Sequence, residues 1–143
     1  MRRLLIFAAI ALYLGSLALP AITTSGRDPV PGWLLLLYGP FGLAGLQEVR
    51  WLVNPLFWLT VGAVFVSKGP SIWGLLLAGA GLALALSCFT HQVSWVAGDS
   101  GSPSSVAAKL QVGAYLWIAA QVVAFAAMLV WQRARALRTV SAG

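Results

Sequence analysis

Residues 33–46 read WLLLLYGPFGLAGL. Counted as a membrane span, this stretch gives the chain five crossings; set aside, it leaves four. Its 14 residues fall short of the roughly 20 that a helix needs to cross a hydrocarbon core, or the ~17 at the lower limit. Gly39, Pro40, Gly42 and Gly45 interrupt it. Pro40 also biases Gly39 away from helical backbone, so a break is expected at Tyr38-Gly39-Pro40. The reading is a re-entrant or interfacial helical segment that dips into the outer leaflet and returns. Such backbone survives at membrane depth only where protein or a wet cavity covers it.

Outward from this stretch lie four further runs without charge, at 4–22, 51–67, 71–90 and 111–131. The first, fourth and fifth runs of the chain are long enough to cross. The third, at 17 residues, meets the limit only marginally unless its helix begins earlier, near Gln47. Only 8% of the 143 residues are charged and 60% are hydrophobic, whereas soluble domains carry about 25% charge. Lipid must therefore cover most of the surface. The expected fold is all-α: one transmembrane domain over 1–143, a four-helix bundle with spans near 4–22, 49–67, 71–90 and 111–131, and the short 33–46 segment on the outer side.

Basic residues decide between four spans and five. With four, Arg2, Arg3, Lys68, Arg133, Arg135 and Arg138 share one side with no acid. Arg27, Arg50 and Lys109 balance Asp28, Glu48 and Asp99 on the other. With five spans, five basic residues fall outside against four inside. Four spans with both termini cytoplasmic fit the rule. The first run has the basic start of a signal peptide, but Leu19 spoils the small-x-small pattern before Ala21, so it reads as a retained span. The net charge of +6 sits at run ends rather than along one face. That pattern points to anionic lipid headgroups and away from nucleic acid. The stretches 23–32 and 96–109 read as external loops with no folded domain, and the end of the chain as a short basic tail against the inner headgroups.

The polar chemistry near membrane depth concentrates in Gln47-Glu48-Val49-Arg50-Trp51-Leu52-Val53-Asn54-Pro55. Charges inside a membrane are costly and raise a functional hypothesis. Gln47, Glu48, Arg50, Asn54 and Gln121 are therefore the candidate binding residues, with Glu48 and Arg50 able to pair across a bend or to sit among headgroups. Gln121 calls for a neighbouring partner, with Thr60, Ser87 and Asn54 in reach. Gly74, Ala78, Gly81 and Ala85 form one small-residue stripe; Gly113, Ala120, Ala124 and Ala127 form another. Such stripes let helix backbones approach in lipid, here between the two helices of one chain or across a homodimer. Trp33, Trp51, Trp73, Trp95 and Trp131 read as an aromatic belt, and Trp58 and Trp117 as packed between helices.

No paired carboxylates, phosphate loop, zinc motif or nucleophile elbow is present. Cys88 and His91 stand alone of their kind. No cofactor, metal or enzymatic activity is expected. Gly32-Trp33, then Trp51-Leu52-Val53-Asn54-Pro55, then Tyr115-Leu116-Trp117 resembles a group of small uncharacterised bacterial inner-membrane proteins. That resemblance implies a bacterial inner membrane and a shared fold, without a mechanism. The expected role is structural or accessory, with membrane lipids and a membrane protein or second copy as partners. The alternatives are a subunit of an oligomeric transporter or channel, or an outer-leaflet lipid-binding protein.

Overall fold

The computed structural model describes residues 2–24, 28–44, 49–67, 69, 71–90, 93–96 and 105–140. Most are helical: α1 (Arg2–Ala18), α2 (Gly32–Ala44), α3 (Val53–Val66), α4 (Ile72–Leu86) and α5 (Val112–Val140). A 3-10 turn, Val49–Leu52, leads into α3, and another, Ser87–Phe89, follows α4. Three stretches are long and apolar enough to cross a membrane: 49–66, 72–89 and 112–134. α1 has 17 residues, a rise of about 26 Å at ~1.5 Å per residue.

α1 stops short of residue 22 for a local reason. Pro20 has no N–H to continue the helix and restricts Leu19. The β-branched Ile22, Thr23 and Thr24 then suit extended backbone. Pro20–Thr24 is β1, and the expected span loses its last three residues to it. The all-α expectation is corrected here. β1 joins β2 (Val30–Pro31), β3 (Val93–Val96) and β4 (Ser105–Leu110) in a four-stranded antiparallel sheet of order β2-β1-β4-β3. Ile22 pairs with Val30 on one side and Leu110 on the other, and Val93 pairs with Ala108. The supposed loops 23–32 and 96–109 thus contribute strands, because they leave neighbouring helix ends and can pair without long closures.

The sheet is rooted in the bundle. The Gly32 N–H donates to the Leu19 carbonyl at 3.0 Å and the Gln111 N–H to the Ala21 carbonyl at 2.8 Å. Both carbonyls lie just past the end of α1, where no further helical turn can reach them.

α1 and α5 run antiparallel in close contact, with Gly113 against the carbonyls of Leu19 and Pro20. α4 packs between α3 and α5. α1 and α3 meet through rings: Tyr13 stacks on Phe57 at 4.6 Å and Phe7 meets Phe65 at 6.0 Å. Each helix therefore opposes its neighbours in direction, and the starts of α1 and α4 share one end with the close of α3 and the later turns of α5. The core runs through Ile6, Ala9, Tyr13, Phe57, Val61, Val64, Ala78, Ala120, Ala124, Ala127, Met128 and Trp131. α5 continues as helix to Val140, through most of the stretch that reads as a short basic tail.

Candidate functional site

The stretch 49–55 and the short helix α2 are tied together by two prolines. Pro40 lies inside α2, yet the helix continues past it to Ala44, so the expected break at 38–40 does not occur. A proline at this position leaves the carbonyl four residues earlier, on Leu36, without its helical donor. The Trp51 indole Nε1–H donates to that carbonyl at 3.0 Å. Gly39 makes the contact possible, since a Cβ there would overlap the Trp51 ring. Trp51 is thus a docking residue for α2 rather than a member of a lipid belt.

Pro55 repeats the problem one element later, freeing the carbonyl of Trp51 itself. Asn54 answers it, its Nδ2–H donating to the Trp51 carbonyl at 3.1 Å. The same amide accepts twice through Oδ1, from Tyr13 Oη–H at 3.0 Å and from Trp117 Nε1–H at 3.0 Å. Asn54 is buried. It therefore joins α1, α5 and the start of α3, and through Trp51 it reaches α2. In lipid such unpaired groups have no water to turn to, which is why a Trp-Leu-x-Asn-Pro run carries an amide and an indole beside its proline.

The five candidate binding residues do not form one cluster among the described residues. Asn54 has its oxygen engaged by two donors. Arg50 is half-buried on the 3-10 turn before α3. Gln121 is buried deeper, one turn past Trp117, with its Oε1 directed toward Gly81. Its Nε2 has no hydrogen-bond acceptor among the described residues. None of the three expected partners accepts from it, and each donates elsewhere: the Thr60 hydroxyl to the Leu56 carbonyl, the Ser87 hydroxyl to the Leu84 carbonyl, and Asn54 to the Trp51 carbonyl. Gln47, Glu48 and His91 lie outside the described residues, and with them any Glu48–Arg50 pair.

The packing residues divide between two surfaces. Gly74, Ala78, Gly81 and Ala85 are all buried within the chain. Gly74 receives Met128 and Gly81 receives Gln121 and Leu56, so small residues on α4 accept large ones from α5 and α3. The α5 stripe faces elsewhere. Gly113 meets Leu19 and Pro20, and Ala120 and Ala124 follow on that side at helical spacing. Neither stripe is left open for a homodimer.

Trp131 is 7% exposed and belongs to the core, against the belt reading. Trp33 and Trp73 do face outward. Trp117 packs inside as expected, whereas Trp58 is 44% exposed, its ring edge-on to Tyr13 and Phe57. Among the described residues, no three of His, Cys, Asp and Glu gather in a way that could hold a metal ion.

No protein-family model matches this chain, and neither the curated proteins nor the solved structures contain a match to it.

Proposed function

We propose that the chain is a four-span protein of a bacterial inner membrane, with both termini cytoplasmic, that serves as a structural or accessory component and catalyses no reaction. The observation that carries this reading is the engagement of Asn54. Within the most polar stretch of the sequence, Asn54 and Trp51 use their side chains to hold four helices in place. A site for chemistry or for cargo would keep such groups turned toward a cavity.

α1 supplies the fourth span. At about 26 Å it is slightly shorter than a ~30 Å hydrocarbon core, a mismatch that local thinning and snorkelling basic residues absorb at small cost. Arg2 and Arg3 stand at its start to do so. The antiparallel helices bring Arg3 and Arg133 toward one end, and the excess of basic residues in the sequence at the termini and between α3 and α4 supports the reading of that end as cytoplasmic. α2 runs from the end of α1 to Trp51 before α3, two points at the same level of the bundle. It then lies along the outer interface, with Trp33, Leu37, Tyr38 and Phe41 exposed as an interfacial helix exposes its apolar face.

Two measurements test the proposal. Cysteines at positions 36, 48 and 68 are probed with a membrane-impermeant reagent; labelling of 36 and 48 from outside and of 68 only from inside is expected. Reconstituted in liposomes, the chain is expected to pass no ions or small solutes. One observation favours a transporter subunit instead, the unpartnered amide of Gln121 at mid-bundle. A solute flux abolished by Gln121→Leu would replace the accessory role with that one.

A further inference from the structure

The bundle has one wide seam. α5 packs closely on α1 and on α4, and α4 closely on α3, but α1 and α3 are held apart by aromatic rings. Toward the end where α1 begins, the last of these ring contacts is Phe7 against Phe65, tilted at 57°. Both rings are only half covered, at 55% and 50% exposure, and Leu4 and Val66 beside them are more exposed still. Arg3, also exposed, precedes Phe7 by four residues and so stands one helical turn beyond it on the same face of α1. An exposed apolar strip along Phe7 and Phe65, a shallow trough between α1 and α3 where the two helices touch only through rings, therefore ends one helical turn from an exposed guanidinium.

From this juxtaposition we propose that the α1–α3 seam binds an anionic phospholipid, with its phosphate on Arg3 and an acyl chain along Phe7 and Phe65. The inference rests on the membrane reading above. Charge selects the lipid. In chain order, the three acids, Asp28, Glu48 and Asp99, follow β1, α2 and β3, whereas Arg2, Arg3, Lys68, Arg133, Arg135 and Arg138 lie near the termini and between α3 and α4. Guanidinium is the group suited to phosphate, because its planar fork can donate two parallel hydrogen bonds. A basic collar alone would attract anionic headgroups diffusely. The seam adds a fixed apolar surface under one arginine, which turns attraction into a localised site.

The test uses the full chain in nanodiscs of mixed phosphatidylglycerol and phosphatidylcholine, with retained lipids counted by native mass spectrometry. The wild type is expected to retain phosphatidylglycerol in preference to phosphatidylcholine. Arg3→Gln should lower that preference about fivefold, the ratio corresponding to roughly 1 kcal/mol per basic residue at a membrane surface. Phe7→Ser should lower retention of either lipid. Arg133→Gln, which removes a basic residue of α5 away from the seam, should leave the preference near its original value. Inorganic phosphate should not displace the lipid, since it cannot use the trough. Equal losses in Arg3→Gln and Arg133→Gln, no preference in the wild type, or displacement by phosphate would each overturn the site. These outcomes leave the membrane reading standing. That reading fails separately, if the purified chain stays monodisperse without detergent.

Discussion

Replacing Asn54 with leucine removes one amide and strands three groups at once. Oδ1 accepts from Tyr13 and Trp117, and Nδ2 donates to the Trp51 carbonyl that Pro55 has freed. Hydrogen bonds between membrane helices average about 0.6 kcal/mol, because the unfolded chain in lipid also finds partners. The Trp117 and Trp51 groups are only partly buried, so that figure applies to each. Tyr13 is 1% exposed; its hydroxyl has no route to water, and an orphaned buried hydroxyl costs about 1–3 kcal/mol. The sum is a loss of about 3 kcal/mol for Asn54→Leu.

The stronger test is a change of sign. Tyr13→Phe in the wild type removes one of two donors and should cost about 0.6 kcal/mol. In the Asn54→Leu background the same substitution deletes the stranded hydroxyl and should restore about 1–2 kcal/mol. Reversible unfolding in bicelles, followed by tryptophan fluorescence across the four variants, gives the coupling directly. Equal effects of Tyr13→Phe in both backgrounds would refute the hub.

Gly39→Val forces a side chain into the Trp51 ring and should cost about 1–3 kcal/mol, as overpacking does; Trp51→Ala in the same chain should recover part of it, while amide exchange in α2 reports the loosened docking. Gly113→Ala brings a Cβ to 2.8 Å from the Leu19 carbonyl and 2.7 Å from that of Pro20, backbone groups that cannot swing away. It should lower the unfolding midpoint, whereas Gly62→Ala, with nothing within 4 Å, should raise it by up to ~1 kcal/mol of helix propensity. Gln121→Met keeps the side chain's length and removes the unpartnered amide. It should stabilise the bundle by about 1 kcal/mol; a loss of stability would mean that the amide has a partner in the membrane.

Much of the helical frame could be read from charge and run length, because hydrocarbon imposes both. The four runs outside 33–46 each contain a helix, three of them long and apolar enough to cross a membrane, and Gly74, Ala78, Gly81 and Ala85 are buried as close packing requires. The sheet was hidden for a physical reason. Ile22 is as apolar as a helix residue, so hydropathy places it in the first span and leaves Thr23 and Thr24 to the loop 23–32; the β-branching of all three beside Pro20 is the signal that separates them as a strand. Val93-Ser94-Trp95-Val96 carried the same signal next to a Gly/Ser/Pro-rich connection. The role of Asn54 was half legible. Its polarity marked it, but only geometry shows that its partners are Tyr13 and Trp117, 41 and 63 residues away. Pro40 misled because sequence registers the missing N–H and not the indole that compensates for it.

That compensation has a wider consequence for how the bundle is held. Among the described residues, side-chain hydrogen bonds of Tyr13, Trp51 and Trp117 cross between elements at the end where α1 closes and α3 begins, and the sheet adds its ladder there. Toward the opposite end Phe7 meets Phe65 and Met128 meets Gly74, contacts that rest on dispersion between groups that lipid tails can also satisfy. These two sets of contacts differ in kind. One is fixed by directional bonds that lipid cannot replace. The other competes with lipid on nearly equal terms, and a seam opens there at Arg3, where a bound lipid can complete the packing that the helices leave unfinished.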